Sequence, residues 1–339
     1  FKRQTGGSGQ YARVVIEFDP LTDEEAVDAK NGILFVDATR GGTVPREFIR
    51  PTINGVREAF AGGVLSVLYL PRFAHGLIAS YALTEASHGS DIRRLDTKAR
   101  RDGGSWVIDG EKSFITAGSA AEFFVILAET ETGVSVFAVP RDTEGLSSYI
   151  GVNSATMGLR NGPHVNVRLQ GVRLPADHLI GTEGKGVRQA VTTLDYSRTL
   201  AAGVSCGIAR AAFDGALAFA ADRVAFDQKV IGFQGIQWYF AEMLTRVQAA
   251  RLMVCRAAQA LDEHGDLMRH ASAAKLFASE VAFEVASKAV QICGAYGTMV
   301  HAPLSRYLRD AKTYEIGGGS SEVLKNTIAK HILSKAKLA

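Results

Sequence analysis

The feature that most constrains this chain is a change of hydrophobic period near residue 186. Upstream, apolar residues alternate singly: Val165, Val167 and Leu169 are separated by Asn166 and Arg168, and Val134, Val136 and Phe137 follow a loop. A period of two puts every second side chain on one face, which predicts a half-buried antiparallel sheet or barrel over residues 80–182. Trp106-Val107-Ile108 runs into Asp109-Gly110, a dipeptide that reads as a hairpin turn. Downstream, Glu280, Glu284 and Lys288 recur every four residues, while Leu276, Phe277, Val281 and Val285 fall on the other side of the same helix. Glu242 and Arg246 form a similar exposed pair on a stretch whose apolar members are Leu244, Val247 and Leu252. Gly184 and Gly186 precede one helix, and Pro303 interrupts the chain before another. Long helices with short breaks predict a bundle. Residues 1–68 have a third texture, with short β-branched runs (Val14-Val15-Ile16, Ile33-Leu34-Phe35-Val36), glycine-rich turns and one helical stretch near 51–61.

Composition removes several classes of function. With 339 residues the chain has room for two or three domains. The 38 basic and 35 acidic residues leave a net charge of +3, too balanced for nucleic-acid or membrane binding through bulk charge. Cys206, Cys255 and Cys293 are far apart in apolar stretches, which excludes a disulfide scaffold or zinc ribbon and predicts a reducing, cytoplasmic location. The eight histidines include no metal-ligand spacing, so no metal site is expected. Neither a phosphate-binding Gly-x-x-x-x-Gly-Lys-Ser/Thr nor a Gly-x-Ser-x-Gly nucleophile elbow occurs. No run of 18 apolar residues predicts a membrane span, and the opening Phe1-Lys2-Arg3-Gln4 reads as that of a fragment.

Tyr81-Ala82-Leu83-Thr84-Glu85-Ala86-Ser87-His88-Gly89-Ser90-Asp91 resembles the ALTEPxxGSD segment of the acyl-CoA dehydrogenase family. Further landmarks follow in the family's order. They are Gly110-Glu111-Lys112 with Phe114-Ile115-Thr116, Arg223-Val224-Ala225-Phe226, Gln291-Ile292-Cys293-Gly294, Arg309-Asp310-Ala311-Lys312, and Gly319-Ser320-Ser321-Glu322. The resemblance implies an α+β multidomain chain. A small α/β N-terminal fragment (1–68) would precede a central antiparallel β-domain (69–182) and a C-terminal four-helix bundle (183–339). It also implies FAD as cofactor, an acyl-CoA or other acyl thioester as substrate, and a homo- or hetero-oligomer, with electron-transfer flavoprotein as a further partner. By the same resemblance Thr84 and Thr116 bond the flavin ring, with Leu83 and Phe114 beside it. Arg223 and Phe226 reach the FAD of a neighbouring subunit, Arg223 supplying charge for pyrophosphate. Gln234, Gln291, Gly294, Ser320 and Glu322 complete the implied FAD set, and Ser90 and Arg198 match contacts to the substrate.

The sequence departs from the family at the catalytic base. Family members remove the α-proton of the thioester with a glutamate, a residue whose pKa burial can raise toward the working pH. In Ile316-Gly317-Gly318-Gly319-Ser320-Ser321-Glu322 that position is Gly318; at the second position some members use, Leu194-Asp195-Tyr196-Ser197-Arg198, it is Ser197. Glu315 and Asp195 lie close by but offset. No residue of this chain is therefore assigned as catalytic, and the glycine-rich segment resembles members that work beside a second, catalytic subunit. Smaller departures are Ala86 for proline, Asp227 for the glycine after the phenylalanine, and Ala295 in a Gly-Gly pair.

Residues 1–68 resemble a different family. Phe1-Lys2-Arg3-Gln4-Thr5-Gly6-Gly7-Ser8-Gly9-Gln10-Tyr11, Gly41-Gly42-Thr43-Val44-Pro45-Arg46-Glu47-Phe48-Ile49, Gly55-Val56-Arg57-Glu58 and Gly62-Gly63-Val64-Leu65 are similar to the first half of domain IV of elongation factor G. That likeness implies Lys2, Arg3, Arg13, Arg40, Arg46 and Arg50 as candidate phosphate contacts to RNA, and a ribosome- or RNA-associated module as the second reading. The acidic stretch 19–31 argues against one continuous basic face. Two half-domains meeting near Val64–Tyr69 read as a fusion or mis-joined frame, a third reading in which the chain has no function.

Overall fold

The computed structural model describes residues 2–4, 13–15, 78–151, 156–160, 164–263 and 265–336. The predicted helix near 51–61, the run Ile33–Val36, Arg40, Arg46, Arg50 and the join near Val64–Tyr69 lie outside the described residues. At the N-terminus, β1 (Lys2–Gln4) pairs antiparallel with β2 (Arg13–Val15), Lys2 opposite Val15.

The β-domain comprises β3 (Ala79–Ala82), β4 (Lys98–Asp102), β5 (Ser105–Ile115), β6 (Phe123–Thr130), β7 (Gly133–Pro140), β8 (Leu146–Tyr149), β9 (Val165–Pro175) and β10 (Leu179–Ile180). They form one eight-stranded sheet in the order β10-β7-β6-β4-β5-β9-β8, with β3 also on β6. The expected alternation holds on β9, where Val165, Val167 and Leu169 are buried and Arg168 is exposed. Trp106, Phe123, Phe124 and Phe137 are its largest wholly buried apolar side chains, each stabilising the fold by roughly 1.5–3 kcal/mol. The sheet is mixed rather than antiparallel throughout, because β3 and β4 both run parallel to β6.

The hairpin expected at Asp109-Gly110 is elsewhere. β5 runs straight through that dipeptide, and the turn between β4 and β5 is Gly103-Gly104, with Gly103 at φ 61°. Asp109-Gly110 is instead a bulge against β9, where the Asp109 carboxylate accepts the Gly171 N–H at 2.6 Å. Gly110 is needed there: a Cβ would lie 2.6 Å from the Thr97 backbone.

The bundle begins where the hydrophobic period changes. Its helices are α1 (Gly186–Asp222), α2 (Gln234–Asp262), α3 (Leu267–Cys293), the short α4 (Ala295–Thr298), α5 (Pro303–Ile316) and α6 (Ser321–Ala336); Pro303 occupies the first turn of α5, where no N–H is required. A hairpin of β11 (Val224–Ala225) and β12 (Gln228–Lys229) separates α1 from α2. Small residues line the centre, Ala209, Ala212 and Ala216 on α1 with Ala274, Ala278 and Ala282 on α3, so the two backbones pack closely. The four-residue charge pattern is on the outside, where Lys288 bridges Glu284 at 3.2 Å and Glu242 of α2 at 2.6 Å. Of the apolar α2 residues named above, Val247 is buried, whereas Leu244 (39% exposed) and Leu252 (72% exposed) face outward. By length and composition α1 is apolar enough to cross a bilayer, which the sequence reading did not allow for; here it is a core helix of the bundle.

The β-domain is tied to the bundle by a short loop. Leu159, at φ 53°, donates its N–H to Asp310 Oδ1 of α5 at 2.7 Å, and Gly158 lies against the Arg309 carbonyl so closely that a Cβ would come within 2.3 Å.

Candidate functional site

The expected site residues fall into three groups. The first is built where the segment after β3 crosses β5. Ser113 donates its N–H to the Thr84 carbonyl at 2.8 Å, and Ser80 Oγ donates to the Thr116 carbonyl at 2.6 Å. Thr84, Phe114 and Thr116, some thirty residues apart in sequence, are thereby neighbours. Phe114 lies at a register shift of β5 against β9, with φ 59°, and is 60% exposed. An exposed aromatic in the left-handed region is uncommon and strained, and such strain collects where a ligand is held. Leu83 is buried behind this group, while Ser90 is exposed on the loop that follows.

Beneath the group lies a buried ion pair that the sequence reading did not single out. Lys112 Nζ donates to Glu85 Oε1 at 2.7 Å and to the Leu83 carbonyl at 3.2 Å. Glu85 also accepts the N–H groups of Asp96 at 2.6 Å and Thr97 at 3.0 Å. Burial alone would raise the Glu85 carboxyl, but the bonds from Lys112 and Thr97 outweigh it and hold the group below its ordinary range. Burial pushes the Lys112 ammonium down to about 8, with Glu85 pulling the other way. The pair pins the segment that carries Leu83 and Thr84 onto β5.

The second group is at one end of the bundle. Arg223 ends α1, its guanidinium 5.8 Å from the ring of Tyr296, which follows Gly294 and also touches Phe219. Phe226 is 90% exposed at the tip of the β11–β12 hairpin, edge-on to Phe233, and Gln234 opens α2 next to it. Both tip residues, Phe226 and Asp227, have positive φ (52° and 61°), the geometry a two-residue hairpin turn demands. Gln291 and Gly294 close α3, the Gly294 N–H donating to the Gln291 carbonyl at 3.1 Å.

The third group surrounds the turn between α5 and α6. Gly318 and Gly319 have φ 71° and 103°, and a side chain at 318 would enter open space. Ser320 accepts the Val323 N–H at 3.4 Å, and Glu322 lies in the first turn of α6. Arg198 is buried, bonded to Asp195 at 2.9 Å and to the Gly318 carbonyl at 3.1 Å, so the substrate contact that the resemblance implies for it competes with two partners inside the protein. The two offset carboxylates are likewise engaged. Asp195 holds Arg198, with burial lifting its carboxyl above the ordinary value against the pull of that guanidinium. Glu315 pairs with Lys312, and Ser197 Oγ donates to the Leu194 carbonyl. A further cation, Lys275 of α3, donates to the Gly319 carbonyl at 2.7 Å. Sequence reasoning passed over it, although a lysine four residues from Ala271 and Ser279 on the apolar stripe of a helix was a readable signal.

Known proteins resemble the chain in this arrangement. Residues 80–172 match the acyl-CoA dehydrogenase middle domain, 184–333 the acyl-CoA dehydrogenase C-terminal domain, and 1–68 elongation factor G domain IV. Probable acyl-CoA dehydrogenase FadE25 of Mycobacterium tuberculosis is 36% identical over 267 residues, covering 77% of this chain and 68% of the relative. Probable acyl-CoA dehydrogenase YngJ of Bacillus subtilis is 39% identical over 262 residues, covering 76% and 68%. Among solved structures, butyryl-CoA dehydrogenase from Megasphaera elsdenii superposes with a TM-score of 0.80 at 31% identity, over 83% of this chain and 74% of that one. An electron transferring flavoprotein structure from Acidaminococcus fermentans reaches 0.80 at 29% identity, over 92% and 90%. A glutaryl-CoA dehydrogenase from Mycobacterium smegmatis, in complex with FADH2, reaches 0.77 at 26% identity, over 81% and 71%.

Proposed function

The chain belongs to the acyl-CoA dehydrogenase family, and from that premise we propose that it is an FAD-binding subunit that engages an acyl thioester without supplying its own catalytic base. The first group fits a flavin. It offers an exposed aromatic face at Phe114 and the hydroxyls of Thr84 and Thr116 beside it, on a strand fixed from below by the Lys112–Glu85 pair. FAD, when bound, supplies the hydride acceptor. Arg223 would meet its pyrophosphate, with Phe226, Gln234, Gln291, Gly294, Ser320 and Glu322 as further contacts. Because the Arg223 group sits on an exposed end of the bundle, a neighbouring subunit is part of this reading, as are a cytoplasmic location and an electron-transfer flavoprotein as acceptor.

One observation carries the missing base. Gly318 has no side chain to take the α-proton, and the nearby carboxylates of Asp195 and Glu315 are held by Arg198 and Lys312. A proton leaving the substrate must then pass to a group from outside the chain, which a partner subunit would provide.

Gly318→Glu tests this reading. A side chain at 318 has room, though φ 71° strains it by about 1–2 kcal/mol. The expected outcome is acyl-thioester dehydrogenation where the parent chain has none, followed by loss of flavin absorbance near 450 nm (on the order of one flavin reduced per chain). Flavin bound but no gain across a panel of thioesters would sink the missing-base reading. A chain that takes up no FAD would sink the flavoprotein reading with it.

The match of residues 1–68 to elongation factor G domain IV favours a second reading, an RNA-associated module. It requires RNA binding that weakens steeply with salt, at about one power of concentration per phosphate contact.

A further inference from the structure

Lys275 is 0% exposed on α3, and the function proposed above gives it no task. Its ammonium donates to two backbone carbonyls, Gly319 at 2.7 Å and Glu315 at 3.3 Å. From α1, Arg198 donates to the carbonyl between them, Gly318, at 3.1 Å. Three carbonyls, one at the end of α5 and two in the turn that follows, are thus gripped by two cations from two other helices. A run of three glycines (Gly317, Gly318, Gly319) has more backbone freedom than any other tripeptide and no side chain with which to order itself. The Gly317 N–H caps α5 on the Thr313 carbonyl at 2.9 Å; the carbonyls of Gly318 and Gly319 are held by the two cations.

Stability does not account for the arrangement. Among the described residues no carboxylate lies within ion-pair distance of Lys275; Glu315, Glu280 and Glu322 attract it from further off, while Arg198 repels it. A buried ammonium with only neutral acceptors is a poor way to stabilise a bundle, and an apolar side chain of similar length would serve the packing as well.

We propose that Lys275 is a positioning residue: with Arg198 it fixes the glycine turn between α5 and α6 and so sets the placement of Ser320 and Glu322. What the turn is for rests on the flavoprotein reading above. The grip itself is a property of the chain without ligand.

The test is backbone hydrogen–deuterium exchange on the full chain, comparing wild type with Lys275→Met and Lys275→Arg, together with thermal melting and titration with FAD. In Lys275→Met, exchange across residues 315–324 should rise about 10- to 100-fold, the loss of a hydrogen bond to a charged group. Peptides from β5 and β9 should be unchanged and the melting temperature equal or higher. Lys275→Arg should recover most of the protection, which a purely structural role would not produce. Unchanged exchange across 315–324 in a folded Lys275→Met overturns the proposal. If Lys275→Met does not fold, Lys275→Gln takes its place, and failure of both to fold overturns the proposal by making Lys275 a support of the bundle. The FAD titration separates the two readings. Wild type that binds FAD, with weaker binding in Lys275→Met, joins the grip to the cofactor; a loosened turn in a chain that never binds FAD keeps the grip and discards the flavoprotein reading.

Discussion

Among the described residues two lysines are wholly buried, one in each large region, and they are built in opposite ways. Lys112 in the β-domain faces a carboxylate, Glu85, which is itself saturated by backbone N–H groups. Lys275 in the bundle faces only carbonyls. Burial pushes both ammonium groups down to about 8, yet the two play different parts. In the β-domain the pair is closed and local, a fastener that holds one segment on one strand. In the bundle the cation reaches from α3 to the end of α5 and the glycine turn that follows it. A buried charge with a full partner is an argument about folding; one spent on the backbone of a glycine turn is an argument about where that turn must be.

The largest expected break in this comparison is Glu85→Ala. It strands Lys112 without its carboxylate in a dry site, and should lower the stability of the β-domain by about 3–5 kcal/mol, read by chemical denaturation. A loss under about 1 kcal/mol would mean that Lys112 is simply neutral in the folded chain.

The pH dependence of melting sharpens the contrast from the other side. The folded-state value of Lys275, about 8, lies below its ordinary 10.5. Between those limits the unfolded chain binds more protons, so the penalty for burying the charge, present below pH 8, is progressively relieved and stability rises with pH through that window. Lys275→Met should remove this part of the rise and add about 1–3 kcal/mol at pH 7, measured as the difference between melts at pH 7 and pH 9.5. Identical pH slopes in the two proteins would place the titration elsewhere.

The smallest effect belongs to the exposed hairpin at the end of the bundle. Asp227 has φ 61° where glycine would be unstrained, so Asp227→Gly should leave stability unchanged or raise it by about 0.5–1 kcal/mol. A clear loss would mean that the backbone freedom glycine adds to the unfolded chain outweighs the strain it removes.

Much of the fold was legible because it is local. The alternation on β9 and the four-residue charge rhythm of α3 are carried by neighbouring residues, and both elements form where the pattern puts them. The Asp109-Gly110 turn failed for a physical reason. Gly103-Gly104 competes for the same reversal a few residues earlier, and the bulge that Asp109-Gly110 makes instead depends on Thr97 and Gly171, distant in sequence. The motif residues Thr84, Phe114 and Thr116 stand apart in the sequence, and their adjacency is a product of strand crossing. Asp195 and Glu315 looked like spare carboxylates until Arg198 and Lys312 were found against them.

The sequence alone determined the membership of residues 80–333 in its family, the change from sheet to helices, and the presence of Gly318 and Ser197 where the proposed function looks for a base. Those are properties of residue identity and spacing. Only the tertiary structure decided which charges are spent inside the protein, because whether a lysine is solvated, paired or turned onto a backbone depends on helices that meet it from elsewhere in the chain.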